Sequence, residues 1–497
     1  MQLQFSKSAI RCLGTALQDI RTAELTQELR LPDGMPDIGR ILATWGQIQL
    51  RSKEWQGSTV QISGGIMTWT LYAPEDGTEP RSVESWIPFQ MKWDLSQTDR
   101  EGPLRVLPLL RFADSRSLSS RKMMVRAGVA ARVHGLYPME EEIYAPGELP
   151  EDVQLLQRTY PVRLPVESGE KTFLMDEEAT LLDAATGEEK LLGIMVTPEI
   201  SEKKVLTSRL VFKGILNVHL VYRDADGRVH SRNFPLAFSQ LAELDRNHST
   251  EAQVDLCMAV TSLETDIDQG KFRLKCGLVG QYMVDDRVLV ELVQDVYSPC
   301  RIVGKEVTEL KLPVILEDRI ETLTAEQSIM GQHGQAVDSV LLPDFPRMRQ
   351  MEDTAQFDFP GMFQGLVYDE NGALQGISSR WEGKQTLPAH TDSQIQATVT
   401  PGDAQGMNSA DGLILNAPIS ASMRISAEQA FPMVTGLELG ELQDPDQFRP
   451  SLIVRKCDGE SLWELAKSSG STVGAIKEAN GLTGEPMDAQ MLLIPVV

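Results

Sequence analysis

The chain has 497 residues, 47 Lys and Arg against 71 Asp and Glu, and a formal charge of −24, which predicts three or four domains rather than one. So acidic a chain lacks the clustered basic residues that nucleic acid or an anionic membrane surface requires. No run approaches 18 apolar residues, so no membrane insertion is expected, and 41% apolar with 24% charged residues is a globular composition.

At the N-terminus, Cys12-Leu13-Gly14 is followed by charged residues from Asp19, an apolar centre too short for a secretory peptide. The five cysteines (Cys12, Cys257, Cys276, Cys300, Cys457) are odd in number and far apart, as reduced thiols in a cytosol are. A cytoplasmic location is the expectation.

In chain order, the first unit opens with a short helical piece, Ile10 to Thr26, and a Pro36-Asp37-Ile38 step into a sheet. An extra loop lies near Ser52 to Gly64. The apolar strand Trp69-Thr70-Leu71-Tyr72 then ends in an acidic turn, Glu75-Asp76-Gly77, which is a hairpin signal. The same unit recurs. Val218 to Tyr222 runs into Asp224-Ala225-Asp226-Gly227, and Leu366-Val367-Tyr368 into Asp369-Glu370-Asn371-Gly372. The three tyrosines are spaced by 222 − 72 = 150 and 368 − 222 = 146 residues. Lys122 to Val129 aligns with Lys271 to Leu278, an offset of 271 − 122 = 149. Leu164-Pro165-Val166 aligns with Leu312-Pro313-Val314, an offset of 312 − 164 = 148. The second and third units also carry opening helical pieces, Met175 to Ala185 and Thr324 to Met330, and steps at Pro198-Glu199-Ile200 and Pro343-Asp344-Phe345.

Within a unit the apolar period is two. Leu413, Leu415, Ala417, Ile419, Ala421, Met423 and Ile425 alternate with other residues, as strands with one buried face do. His219, set between Val218 and Leu220, therefore reads as a solvent-face residue. The tyrosines read as locks of each hairpin onto its neighbour.

The last stretch changes character. Leu452-Ile453-Val454 and Met491 to Ile494 are short strands. Between them, Ser461-Leu462-Trp463-Glu464 has the form of a capping box, and Leu462, Leu465 and Ala466 make one apolar helix face. Ser471 or Thr472 caps a second helix that Asn480-Gly481 stops. The fold class is thus mainly β: three repeated antiparallel β-sandwich-like units with short helices, at 1–160, 161–305 and 306–445, plus a small βααβ module at 450–497. Gln443 to Gln447 reads as the linker.

Catalytic signals are absent. The six histidines show no i+3 or i+4 pair to clasp zinc, and no phosphate-binding glycine loop or nucleophile elbow occurs. Acid runs such as Glu140-Glu141-Glu142 read as solvated faces. No cofactor, metal or enzymatic activity is expected.

The C-terminal segment resembles a LysM module, with Gly459-Glu460-Ser461-Leu462-Trp463 at the Gly-Asp-Thr-Leu-Trp signature, Asn480 after helix two, and Leu493-Ile494-Pro495 as terminal strand. Glu460 replaces the usual Asp, and Ala489 stands where glycine is usual. The resemblance implies a groove formed by Asp458, Gly459, Glu460, Ser461 and Leu462 with Asn480, Gly481 and Leu482. In that family such a groove binds N-acetylglucosamine polymers, so both a glycan and a protein ligand remain open. The repeated unit resembles the SPOCS domain, through Leu31-Pro32, the Gly214-to-Tyr222 strand and Phe234-Pro235-Leu236-Ala237-Phe238. The whole architecture resembles the SipL-like, SpoVID-related spore-coat morphogenetic proteins. That resemblance implies a scaffold in the mother-cell cytosol, recruited to the forespore surface, with the LysM module docking to a SpoIVA-like ATPase of the coat basement layer. The competing expectations are a peptidoglycan-binding wall protein and a LysM-targeted peptidoglycan hydrolase.

Overall fold

The structure, a computed structural model, describes residues 5–95, 100–181, 189–268, 270–352, 354–388, 392–442 and 450–497. It is mainly β, and one strand path occurs three times. In the first, β1 (Phe5–Arg30) precedes the meander β2 (Ile38–Gln56), β3 (Thr59–Pro74) and β4 (Arg81–Asp94), and β5 (Leu104–Ser119) and β6 (Lys122–Pro146) then return to β1. This makes two antiparallel sheets, β1-β6-β5 and β2-β3-β4. Their inner faces share a core that includes Ile62, Ile66 and Trp93 from the meander and Val106, Val125 and Val129 from the other sheet. That is a sandwich, the arrangement alternating apolar residues demand.

The second path runs β7 (Gln154–Thr180), β8 (Lys190–Leu206), β9 (Arg209–Arg223), β10 (Val229–Glu243), β11 (Gln253–Asp268) and β12 (Lys271–Tyr297), with sheets β11-β12-β7 and β10-β9-β8. The third runs β13 (Arg301–Met330), β14 (Gln335–Pro343), β15 (Arg347–Met351), β16 (Thr354–Tyr368), β17 (Leu374–Pro388), β18 (Gln394–Pro401), β19 (Gln405–Ser409) and β20 (Gly412–Leu442). Here β14 and β15 both pair with β16, so one broken strand does the work of β2 or β8. Each Tyr-to-Gly signal is a hairpin turn, and Gly77, Gly227 and Gly372 hold φ of 72°, 81° and 77°, a region that favours glycine.

The opening helical pieces are corrected by the structure. Ile10 to Thr26 lies in β1, Thr324 to Met330 in β13, and Met175 to Thr180 in β7, with 182–185 outside the described residues. Each long strand carries a β-bulge, and in the first it falls inside the piece read as helical. Pairing skips one residue, Ala16, Val166 or Leu316, at intervals of 166 − 16 = 150 and 316 − 166 = 150. Before the bulge, even-numbered residues face inward (Ile10, Cys12; Val162, Leu164; Leu310, Leu312). After it, odd-numbered ones pack on a core (Leu17, Ala23, Leu25; Phe173, Met175; Leu323, Ala325). In Ile10 to Thr26 the extra residue leaves Ile10, Leu13 and Leu17 at i, i+3, i+7, a spacing that imitates a helix.

Two further readings change. Ser52 to Gly64 is no loop but the end of the β2–β3 hairpin, turning at Gly57. Of the three Pro-acidic-apolar steps, only Pro36-Asp37-Ile38 leads into a strand. Pro198-Glu199-Ile200 lies within β8, and Pro343 closes β14. Tyr160-Pro161 lies within β7, and the linker reading at Gln443 to Gln447 falls outside the described residues.

The bulges also bend the long strands into two arms. One arm closes its own sandwich, and the other joins a cluster shared by all three paths. Ile10 and Cys12 of β1, Val162 and Leu164 of β7, Leu310 and Leu312 of β13, and Phe431 of β20 meet there. The sandwiches are tied elsewhere too. His219 is not on a solvent face: its Nε2 lies 2.6 Å from Asp338 Oδ1, and its ring is hydrogen-bonded to Asn233 at 2.7 Å. Asp338 Oδ2 accepts from Trp45 Nε1 at 3.1 Å, so one fully buried carboxylate joins the three paths. His219 points away from its own apolar neighbours, as its period requires, but the face it points to is covered by the third sandwich. Burial disfavours its charged form, yet Asp338 and the hydrogen bonds from Asp338 and Asn233 outweigh this and raise its pKa. The tyrosines act as locks in two ways: Tyr72 Oη donates to Pro36 O at 3.0 Å within its unit, and Tyr368 Oη accepts from Val229 N at 2.9 Å in the preceding one.

Candidate functional site

The C-terminal module is β21 (Leu452–Lys456), α1 (Leu462–Ser469), α2 (Val473–Asn480) and β22 (Met491–Pro495), with β21 antiparallel to β22. α1 starts because Ser461 accepts from Glu464 N while the Glu464 carboxylate accepts from Ser461 N at 2.9 Å. These bonds satisfy two orphan amides and lower the Glu464 pKa. Gly470 ends α1 at φ 63°, Thr472 caps α2, and Gly481 ends it at φ 61°. Leu462, Leu465, Ala466, Ile476, Leu492 and Ile494 form the module core, and Tyr297 of β12 enters it. Ala489 has φ 65°. This left-handed position costs a residue with a Cβ about 1 kcal/mol, which is why glycine suits it.

Asp295 and Tyr297, at the end of β12, clasp the module. Asp295 Oδ2 accepts from Trp463 Nε1 at 2.8 Å and Lys467 Nζ at 2.7 Å, while Lys305 of β13 holds Oδ1. Tyr297 Oη donates to Ser471 O at 3.0 Å, and its ring meets the Trp463 ring edge-on at 4.7 Å. Burial opposes ionisation of Asp295, but the hydrogen bonds from Lys305, Lys467 and Trp463 prevail and hold its carboxyl down at about 2. Trp463, expected to aid the groove if its ring were exposed, is half-buried and turned into this clasp.

The groove residues separate into three groups. Asp458, Gly459 and Gly481 are exposed. Leu462 is fully buried, and half-buried Leu482 packs on the core. Glu460 is tied to Arg455 at 2.8 Å, and Ser461 is occupied by its capping box. Asn480 spends its amide inside the module, donating to Ile476 O at 2.8 Å and Leu493 O at 2.6 Å and accepting from Leu493 N at 2.8 Å. Across the groove, Glu485 accepts from Leu462 N at 2.8 Å, a bridge from the later loop to the start of α1 that motif reading overlooked.

Sequence reasoning also missed the outer face of the β21–β22 sheet. Val454 and Leu493 are directly opposed in the register and are 58% and 41% exposed; Leu452 and Met491 lie on the same side, also exposed. The signal was present in the runs Leu452-Ile453-Val454 and Met491 to Ile494. A strand apolar at consecutive positions offers apolar side chains to both faces, and the helices cover only one.

Comparison with known families locates residues 189–268 on the family model of the SipL SPOCS domain. The match spans β8, β9, β10 and β11, including the Tyr222-to-Gly227 hairpin. No curated protein and no solved structure matches the chain. The match supports a SipL-like family and a sporulation-related coat protein. Among the described residues no helix is long and apolar enough to cross a membrane, and no cluster of His, Cys, Asp or Glu could hold a metal ion.

Proposed function

We propose that the chain is a non-enzymatic scaffold in assembly of a spore coat or envelope, whose LysM-like module docks to protein. The observation that carries this reading is the SPOCS match at 189–268, lying in the middle one of three like-built sandwiches. Three sandwiches tied through a shared core and buried carboxylates make a rigid platform. A platform with its small module held at one corner suits positioning better than turnover. The docking face is the apolar sheet of Leu452, Val454, Met491 and Leu493, because such a patch on a soluble chain needs a cover. A protein ligand is favoured over a glycan by the use of Asn480 and Glu485 within the module. The partner is a SpoIVA-like ATPase of the coat basement layer, met in the mother-cell cytosol at the forespore surface.

The experiment is capture of the purified basement-layer ATPase by the full chain, against sedimentation with washed peptidoglycan. Capture that is lost in Val454→Asp and Leu493→Asp, with no sedimentation, supports the reading. Sedimentation with the wall that survives both substitutions overturns it.

A further inference from the structure

Away from the module, at the junction of the three sandwiches, lie three cavities of about 440, 310 and 290 Å³ that share walls. Gln396 lines all three, Arg132 lines the two smaller ones, and His134 and Arg424 each line two. Their sizes reach the range of small-ligand sites. Their polar groups come from all three strand paths.

The charges there do not cancel. Arg105 pairs with Asp255 at 2.8 Å, Arg424 with Asp285 at 2.5 Å, and Arg163 with Asp318 at 2.8 Å. Three buried or half-buried carboxylates are thus matched by three guanidinium groups. Arg132 is a fourth, and it makes no ion pair among the described residues. It donates to Ala397 O at 2.8 Å and to Thr398 Oγ1, and lies over the Phe345 ring. Lys203, on the rim of both smaller cavities, makes no direct ion pair among the described residues; its charge reaches only Asp255, which Arg105 already holds. The rim carboxylates are engaged outward, Glu202 with Lys213 at 2.8 Å and Glu199 with Asn217 at 3.2 Å. His134 is kept neutral, because burial and the nearby Arg105 push its pKa down to about 3, so it adds no charge. Its Nδ1 is buried with no hydrogen-bond partner among the described residues.

A surplus guanidinium in a partly enclosed cavity is costly unless an anion balances it. The planar fork of arginine is matched to the paired oxygens of phosphate. We propose that this junction binds a small multivalent oxyanion, a phosphate or phosphate monoester, held by Arg132 and Lys203 with hydroxyls from Thr398 and Ser422. These four residues belong to β6, β8, β18 and β20, one or two from each path, so the anion would cross-link the three sandwiches and stabilise their assembly by linkage.

The test is titration of the full chain with inorganic phosphate and, separately, phosphoserine, by calorimetry and thermal unfolding, against sodium chloride at equal ionic strength. The expected result is a saturable rise in melting temperature that chloride does not reproduce. Affinity should fall about tenfold or more in Arg132→Met and less in Arg132→Lys, since losing a charge-assisted pair costs about 1.5–3 kcal/mol. Asp295→Ala, remote from the junction, should leave it unchanged. Tighter binding of phosphoserine than of phosphate would identify an ester as the ligand, and the reverse the free ion. A shift equal to that of chloride, or undiminished binding in Arg132→Met, overturns the proposal. Should Arg132→Met fail to fold, the double variant Lys203→Met with Ser422→Ala replaces it, and unchanged affinity there overturns the proposal equally.

Discussion

Replacing Asp295 by alanine should loosen the module from its platform without unfolding either. The Asp295 carboxyl is held at about 2 against an ordinary 3.8. With 1.36 kcal/mol per tenfold change in proton affinity, its ionised form gains at most about 2.5 kcal/mol. The carboxylate is 17% exposed and Lys467 is 41% exposed, so water screens the interaction and about 1.5 kcal/mol is a fairer figure. Two of its three partners, Trp463 and Lys467, belong to the module, while Lys305 stays with the platform. The share that holds the module is then about 1 kcal/mol, or about a fivefold change in the undocked population. The assay is hydrogen exchange of the full chain. Amides at 295–297 and 462–472 should exchange about fivefold faster in Asp295→Ala, while those at 491–495, which report on the module's own unfolding, should not change. Because this carboxyl is depressed, its contribution is complete above about pH 4 and is lost as pH falls toward 2. Unchanged protection at 295–297 and 462–472 would refute the clasp.

Asp338→Ala leaves the Trp45 indole and the His219 ring without their shared partner, and should lower stability by about 3–5 kcal/mol in urea unfolding. The His219 pair should also make stability pH-dependent. Its pKa is raised on folding, so its contribution is complete below about pH 6.5 and is lost as pH climbs through the elevated value. Urea midpoints between pH 6 and 9 should fall in the native chain more steeply than in His219→Gln. Ser461→Ala removes one half of the capping box and should speed exchange of the first α1 amides by an amount equivalent to about 1 kcal/mol. Ala489→Gly relieves the left-handed strain at φ 65°. Part of the gain is offset by the freer unfolded chain, leaving up to about 0.5 kcal/mol of added module stability by the same exchange measurement.

Local chemistry carried much of the reading. The turn glycines Gly77, Gly227 and Gly372, the Ser461–Glu464 box and the stop at Gly481 each depend on a few adjacent residues, and all occupy the places their types imply. The alternation from Leu413 to Ile425 likewise needs only one buried face, and β20 supplies it. The misreadings arose where distant chain intervened. The first helical piece, Ile10 to Thr26, spans a one-residue bulge in a long strand, visible only against the partner strand. His219 was outward in its own sheet and inward in the assembly.

By itself, the amino-acid sequence determined the β character, the recurrent hairpin and the helix boundaries of the last module, because those depend on residue type and spacing over a few positions. Only the tertiary structure decided which polar side chains stay in water. Asp295, Asp338 and Arg132 are ordinary charged residues in the sequence, and their surroundings come from strands up to hundreds of residues away. Electrostatic energy depends on distance in space and on burial, and neither follows from position along the chain.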